Sequence, residues 1–486
     1  MSADSVTTAT APVAAPAGLR PNAVGLVGVL VQSVALIGPG VAIAFGLGPG
    51  ITYAGGSFPL SIALALVASL LLAIAIGQLA VRLPSAGGFY TYISRGLGHE
   101  LGFLAGWISI PAYLLFLPLN LLAFGYALEQ ASGGSMPWWA GALALAILMG
   151  LLSFFGVRLS IRTLVVLGAI EVLVFTVLSV FLIAGAPHGN ALAPFTPVQW
   201  GSRGGLSGVL VGAVIGVLFF NGFESAVLLA EESRDPRRII QPVLLLAVTL
   251  TGVFFILASY AGLAGFGFDA SRYLGDTSGS PWFTLGAQAW GKAGKYIVQL
   301  VVLNSLIANF GAGYTALSRV VFAMGRGGAL PRAFGRVNRR FRTPTLALAL
   351  GGVIAFAIAV GVHAVYGNPP NSFILILDAV AYCVIVNFGA VSLAVPFYML
   401  RQRRAEFRVV PHLVVPLLAV TLLVKVLAAQ FVTTTTPQHW PGLLPQYLGA
   451  AIVGGWLVLG IIWVVALRVW RPAALAAGER IYVADE

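Results

Sequence analysis

Runs of about twenty apolar residues recur from one end of this chain to the other, and no other feature constrains its fold so tightly. A helix of roughly 20 apolar residues crosses a hydrocarbon core of about 30 Å, and inside lipid every backbone N–H and C=O must be satisfied by the protein itself. Only 9% of the 486 residues are charged and 59% are hydrophobic; a soluble domain carries about a quarter charged. A soluble fold is thereby excluded. Segments of about ten residues alternating in polarity, which would mark a barrel, are absent, so the sequence predicts an all-α polytopic membrane protein.

Segmentation gives twelve expected spans. They run approximately Val24 to Phe45, Pro59 to Ala80, Leu101 to Ala127, Trp138 to Phe155, Thr163 to Ala184, Leu206 to Leu229, Val243 to Phe266, Tyr296 to Phe322, Leu346 to Val365, Phe373 to Met399, Val414 to Val432 and Leu448 to Val469. Gly351, Gly352 and Gly361 make span nine the least regular. The first twenty-one residues, rich in Ala, Thr and Pro, are expected to be a disordered cytoplasmic tail, and residues 471–486 a second tail. Cys383, the sole cysteine, lies in span ten and precludes an intrachain disulfide.

The net charge is +12, and its placement argues against a nucleic-acid partner. With loops assigned alternately, twenty-two of the 27 basic residues fall on one side; Arg203, Arg272, Lys292 and Lys295 fall on the other, and Lys425 lies within span eleven. Basic loops face the cytoplasm, which places both termini there in a cytoplasmic membrane. The clusters Arg332 to Arg342 and Arg401 to Arg408 are expected to meet anionic lipid headgroups.

Two spans carry an interruption at mid-depth. Span one contains Ile37-Gly38-Pro39-Gly40-Val41, and span six contains Phe219-Phe220-Asn221-Gly222-Phe223-Glu224. Glycine permits non-helical dihedrals and proline removes a backbone donor, so each run should break its helix. Gly38 and Gly222 lie 184 residues apart, as Pro59 and Pro242 lie 183 apart. Five spans separate the members of each pair, so the second half enters from the opposite face. The expected plan is a 5+5 inverted repeat, residues 22–204 and 205–411, followed by two further helices in 412–470. Paired interruptions of this kind point to a binding site between them.

Around these breaks the sequence resembles the amino acid, polyamine and organocation permease superfamily. The resemblance rests on Gly38-Pro39-Gly40, on the segment Gln78 to Tyr92 after span two, on Gly222-Phe223-Glu224 with Glu231 to Arg238, and on Met324 to Pro331. It implies the fold of the sodium-coupled neurotransmitter transporters and alternating access around a mid-membrane site. It also implies that a substrate carboxylate meets amide N–H groups of the first break while its ammonium meets open carbonyls of both. The bare donors of a helix amino-terminus and bare acceptors of a carboxy-terminus suit such a zwitterion. Three positions depart from the family pattern: Pro39 stands where a small residue, often Ser, is usual, Gln78 where Glu is, and Gly327 where Asp is.

The expected substrate-contacting residues are therefore Ile37, Gly38, Gly40, Val41, Phe219, Phe220, Asn221, Gly222 and Phe223. Glu224 and Glu171 are candidates for proton coupling or gating, with Glu171 read first as a structural carboxylate. Ser305, Asn309 and Tyr113 are candidates for lining the site, and the first two also for an ion position or for interhelical hydrogen bonds. No metal or cofactor is expected, and the coupling ion is expected to be H⁺ rather than Na⁺. The five histidines are scattered, Cys383 has no evident base and no phosphate-binding glycine loop occurs, which disfavours an enzyme. The expected function is secondary transport of amino acids, neutral and apolar ones first; the alternative is uptake of an amine or polyamine.

Overall fold

The computed structural model describes residues 19–367, 371–433 and 448–476; most of the two expected tails lies outside these. Among the described residues, ten helical stretches are long and apolar enough to cross a membrane. The first, Leu26–Ala80, has 55 residues and is not one rod. It breaks at Gly38 and folds back at Gly55, where φ is +58°. The helix Trp138–Phe154 of span four is apolar but only 17 residues long.

Span one begins as Leu26–Ile37 and packs against the helices of spans five (Val157–Ala184), seven (Pro236–Gly265) and eight (Pro281–Arg326). Its other neighbour is the 3-10 segment Phe223–Glu232 that continues span six. Span two (Phe58–Ala80) packs on span seven and on the first half of span six, Gly205–Phe219. At the fold-back, Ser57 Oγ donates to the Thr196 carbonyl at 2.7 Å and accepts from the Trp200 indole at 2.8 Å. A Cβ at Gly56 would lie 2.5 Å from that indole, so glycine is what lets the loop between spans five and six seat there.

Two elements differ from the sequence reading, and a third, span nine, agrees with it. Pro242 is internal to helix Pro236–Gly265, which Pro236 opens; a proline at the first helical position forfeits only a donor that has no intrahelical partner. A separate helix opened by Pro281 precedes span eight: the chain leaves helical geometry at Trp290 and Gly291, and Gly286 packs against Gly294 across that reversal. Span nine, despite its glycines, is a continuous helix, Thr345–Tyr366. Gly351 and Gly352 leave room for Tyr314, whose hydroxyl donates to the Leu348 carbonyl.

The motif after span two forms a further short helix, Phe89–Leu97, lying against span ten (Asn371–Gln402). Span twelve (Leu448–Trp470) is fixed to span three by two tryptophans. Trp107 donates to the Trp456 carbonyl at 2.8 Å, Trp456 donates to the Trp107 carbonyl at 2.9 Å, and the rings stack at 4.6 Å.

Candidate functional site

Gly38 ends the first half of span one with φ +63° and ψ 62°, and Pro39 restarts the helix. A left-handed residue costs L side chains roughly 1–2 kcal/mol, which glycine avoids. The chain continues as Pro39–Val41, a π turn Ala42–Gly46 and the helix Leu47–Ala54. The break thus exposes carbonyls on one side and amides on the other. Side chains reach both sets. Asn309 Nδ2 donates to the Leu36 carbonyl at 2.6 Å and the Ala35 carbonyl at 3.3 Å, while Asn120 Nδ2 donates to Asn309 Oδ1 at 2.7 Å. On the amide side, Gly40 N–H donates to Glu171 Oε1, and Val41 N–H donates to Ser305 Oγ at 3.1 Å.

In span six, helix Gly205–Phe219 ends and Gly222 turns the chain with φ +114°. Gly222 N–H donates to Glu224 Oε2 at 2.9 Å, and Tyr113 OH donates to Glu224 Oε1 at 3.1 Å. A Cβ on Gly222 would lie 2.7 Å from the Leu36 carbonyl carbon and 2.8 Å from Ile37 N, so the two breaks touch backbone to backbone. Ser33 Oγ ties them again by donating to the Phe223 carbonyl at 2.7 Å. The aromatic candidates pack around this junction: Phe219 against Phe58 and Phe255, Phe220 against Phe255, and Phe223 against Phe388.

Each break therefore holds one carboxylate. Glu171 and Glu224 are each 2% exposed, and among the described residues neither makes an ion pair. A lone buried carboxylate is expensive, and here backbone amides and hydroxyls supply its partners. The sequence reading left the Gly40 and Val41 amides open for a substrate. The structure occupies both, because a buried N–H must be paired and Glu171 and Ser305 are placed to pair it. Asn304, by contrast, turns away, donating to the Leu167 carbonyl at 2.7 Å.

The family model described as amino acid permease matches residues 28–475, nearly the whole chain. The chain belongs to the amino acid permease family. It is a family of transporters, so the chain is a multi-pass membrane transporter and no enzyme. Among its relatives, the low-affinity putrescine importer PlaP of Escherichia coli (strain K12) is 28% identical over 338 residues, 69% of this chain and 70% of the relative. The aromatic amino acid transport protein AroP of Corynebacterium glutamicum is 25% identical over 66% of this chain and 69% of its own. An amino-acid permease of Hypocrea atroviridis is 25% identical over 80% of this chain and 72% of its own.

On the face where the arginines gather, ion pairs join span eight to the end of span six. Arg319 of span eight makes two bonds to Glu232, at 3.0 and 3.3 Å, with side chains 3% and 1% exposed. Arg326, two turns on, makes two to Glu231, at 2.8 and 2.5 Å, and Glu231 also accepts from Ala86 N–H. Val24 N–H donates to the Glu232 carbonyl and its carbonyl accepts from Arg234 N–H, so the start of span one is stitched to the end of span six. Sequence reasoning missed this set. Two adjacent acids facing two arginines seven residues apart on one helix was the available signal. Nearby, Gln78 Oε1 meets His412 Nε2 at 3.0 Å and Arg82 at 3.3 Å, and Arg82 pairs with Glu406 at 3.0 Å.

Two open clefts lie away from the breaks. A cleft of about 850 Å³ is lined by His188, Arg272, Asp276 and Gln288 at the opposite face. A smaller one of about 200 Å³ lies beside Arg162 and Arg234.

Proposed function

We propose that the chain is a secondary permease that moves a small solute bearing a primary amino group, an amino acid or an amine, by alternating access. Counting Leu26–Ala80 as two passages and adding Trp138–Phe154 gives twelve helices, arranged as a 5+5 inverted repeat with two more. The arginine-rich face, with both termini, lies in the cytoplasm of a cytoplasmic membrane, where the Arg332 to Arg342 and Arg401 to Arg408 clusters meet anionic lipid. The observation that carries the reading is the contact of the two breaks at Gly222 and Leu36, with one buried carboxylate on each. Broken helices meeting at mid-depth concentrate backbone donors and acceptors where no lipid or water competes.

Coupling is to protons or to counter-exchange. Glu171 and Glu224 are groups that can take up a proton as the site opens. The carbonyls that would hold a sodium ion at the first break already accept from the Asn309 amide. The names of the relatives span both substrate classes. Uptake into proteoliposomes, run over amino acids and aliphatic amines with a pH gradient, with sodium and with neither, tests the reading. Flux that needs a pH gradient or internal substrate and ignores sodium is expected. No flux of any compound would refute it.

A further inference from the structure

At the junction of the breaks, donors and acceptors are unequally used. The amide donors have partners: Gly40 N–H is taken by Glu171, Val41 N–H by Ser305 and Gly222 N–H by Glu224. Two nearby buried side-chain acceptors are left over among the described residues. Gln32, nearly two turns before the first break, is fully buried and gives its Nε2 to the Ala312 carbonyl, while its Oε1 has no partner among the described residues. Asn387, 2% exposed, gives its Nδ2 to Ser109, and its Oδ1 likewise has none. Ser109 lies one turn from Tyr113, which holds Glu224, so the residues that hold Asn387 and Glu224 share one face of span three. Two carboxylates without a cation and two buried acceptors without a donor call for a ligand that donates and is positive.

We infer that Glu171 is a built-in stand-in for the carboxylate of an amino acid, so that the permease selects amine cations lacking a carboxylate, linear diamines foremost. This rests on the permease reading above and deepens it. A zwitterion would have to displace Glu171 from Gly40 and then leave two like charges in one dry site. An ammonium meets no such conflict. A diamine supplies one cationic end for each of the two carboxylates, and its alkyl middle suits the ring-lined junction of Phe220 and Phe223.

The test uses the full chain in proteoliposomes with radiolabelled putrescine and leucine, with ethylamine and alanine as competitors. Wild type is expected to accumulate putrescine, to be inhibited by ethylamine and to ignore leucine and alanine. Glu171→Gln keeps an oxygen for Gly40 but loses the charge, and should lower putrescine uptake roughly tenfold or more. Glu171→Ala frees the amide and should let leucine compete for the first time. Thermal unfolding with and without each compound reports binding independently of flux. Wild-type accumulation of leucine, unaffected by Glu171→Gln, would overturn the inference while leaving the permease reading intact. Absence of flux and of ligand-induced stabilisation for every compound would overturn both.

Discussion

Replacing Glu232 by Gln should open the arginine-rich face. The Glu232–Arg319 pair is almost fully buried and doubly hydrogen-bonded, and removing one member of such a pair costs about 3–5 kcal/mol because the other charge is stranded. Only the part of that energy lost when the face opens shifts the equilibrium, since an interaction equal in both states shifts nothing. If Arg319 regains water on opening, about 3 kcal/mol is released, a change of roughly a hundredfold in the open population. The buried, solitary Cys383 makes the assay clean. In a Cys383→Ser background, Ser225→Cys places a thiol on the buried 3-10 segment just beyond the second break. A membrane-impermeant maleimide applied from the arginine-rich side should label it faster in Glu232→Gln by up to that factor. Adding Arg319→Gln, which removes the stranded charge, should bring the labelling rate part of the way back. An unchanged rate in Glu232→Gln would mean that the pair travels intact with its helices and is no lock.

Gly222→Ala must hold a side chain at φ +114° with its Cβ 2.7 Å from the Leu36 carbonyl carbon. It should lose more than the roughly 1–2 kcal/mol of left-handed strain alone, and a wild-type melting temperature would contradict the backbone contact. Gly40→Pro removes the N–H that Glu171 accepts, and should abolish substrate-induced stabilisation; retained affinity would refute the role of that amide. Asn309→Ala strands the Leu36 and Ala35 carbonyls, at about 1–3 kcal/mol by denaturation, and should make sodium newly stabilising. Burial raises the Glu406 carboxyl, but the hydrogen bond and charge of Arg82, with Arg403, outweigh it and hold it below its usual 4.5. A depressed carboxyl stabilises above its unfolded value and loses that contribution as pH falls through the folded one. The stability difference of Glu406→Gln should therefore be equal at about pH 6 and pH 8 and shrink only in acid.

The apolar segmentation and both breaks were legible because they rest on local chemistry. Gly38 before Pro39 interrupts the helix, which Pro39 then restarts, and Gly222 permits the backbone its neighbours need. What escaped depends on partners far along the chain. Nothing near Glu171 announces that it will meet Gly40, 131 residues earlier, and apolar counting cannot tell a lipid-facing span five from one with a carboxylate turned inward. The expected equivalence of Pro59 and Pro242 failed for a related reason: a proline's spacing does not reveal whether it opens a helix or interrupts one. Gly351 and Gly352 looked like weaknesses and proved to be clearance for Tyr314. The paired acids Glu231 and Glu232 carried a sequence signal, but reading it required knowing that span eight passes beside them.

The reciprocal indole bonds between Trp107 and Trp456 tie span twelve to span three, and span twelve also packs along span ten. Two mutual anchors at one level restrain rotation and sliding between spans three and twelve, so a transport cycle that parts spans three and ten must strain one of these two contacts.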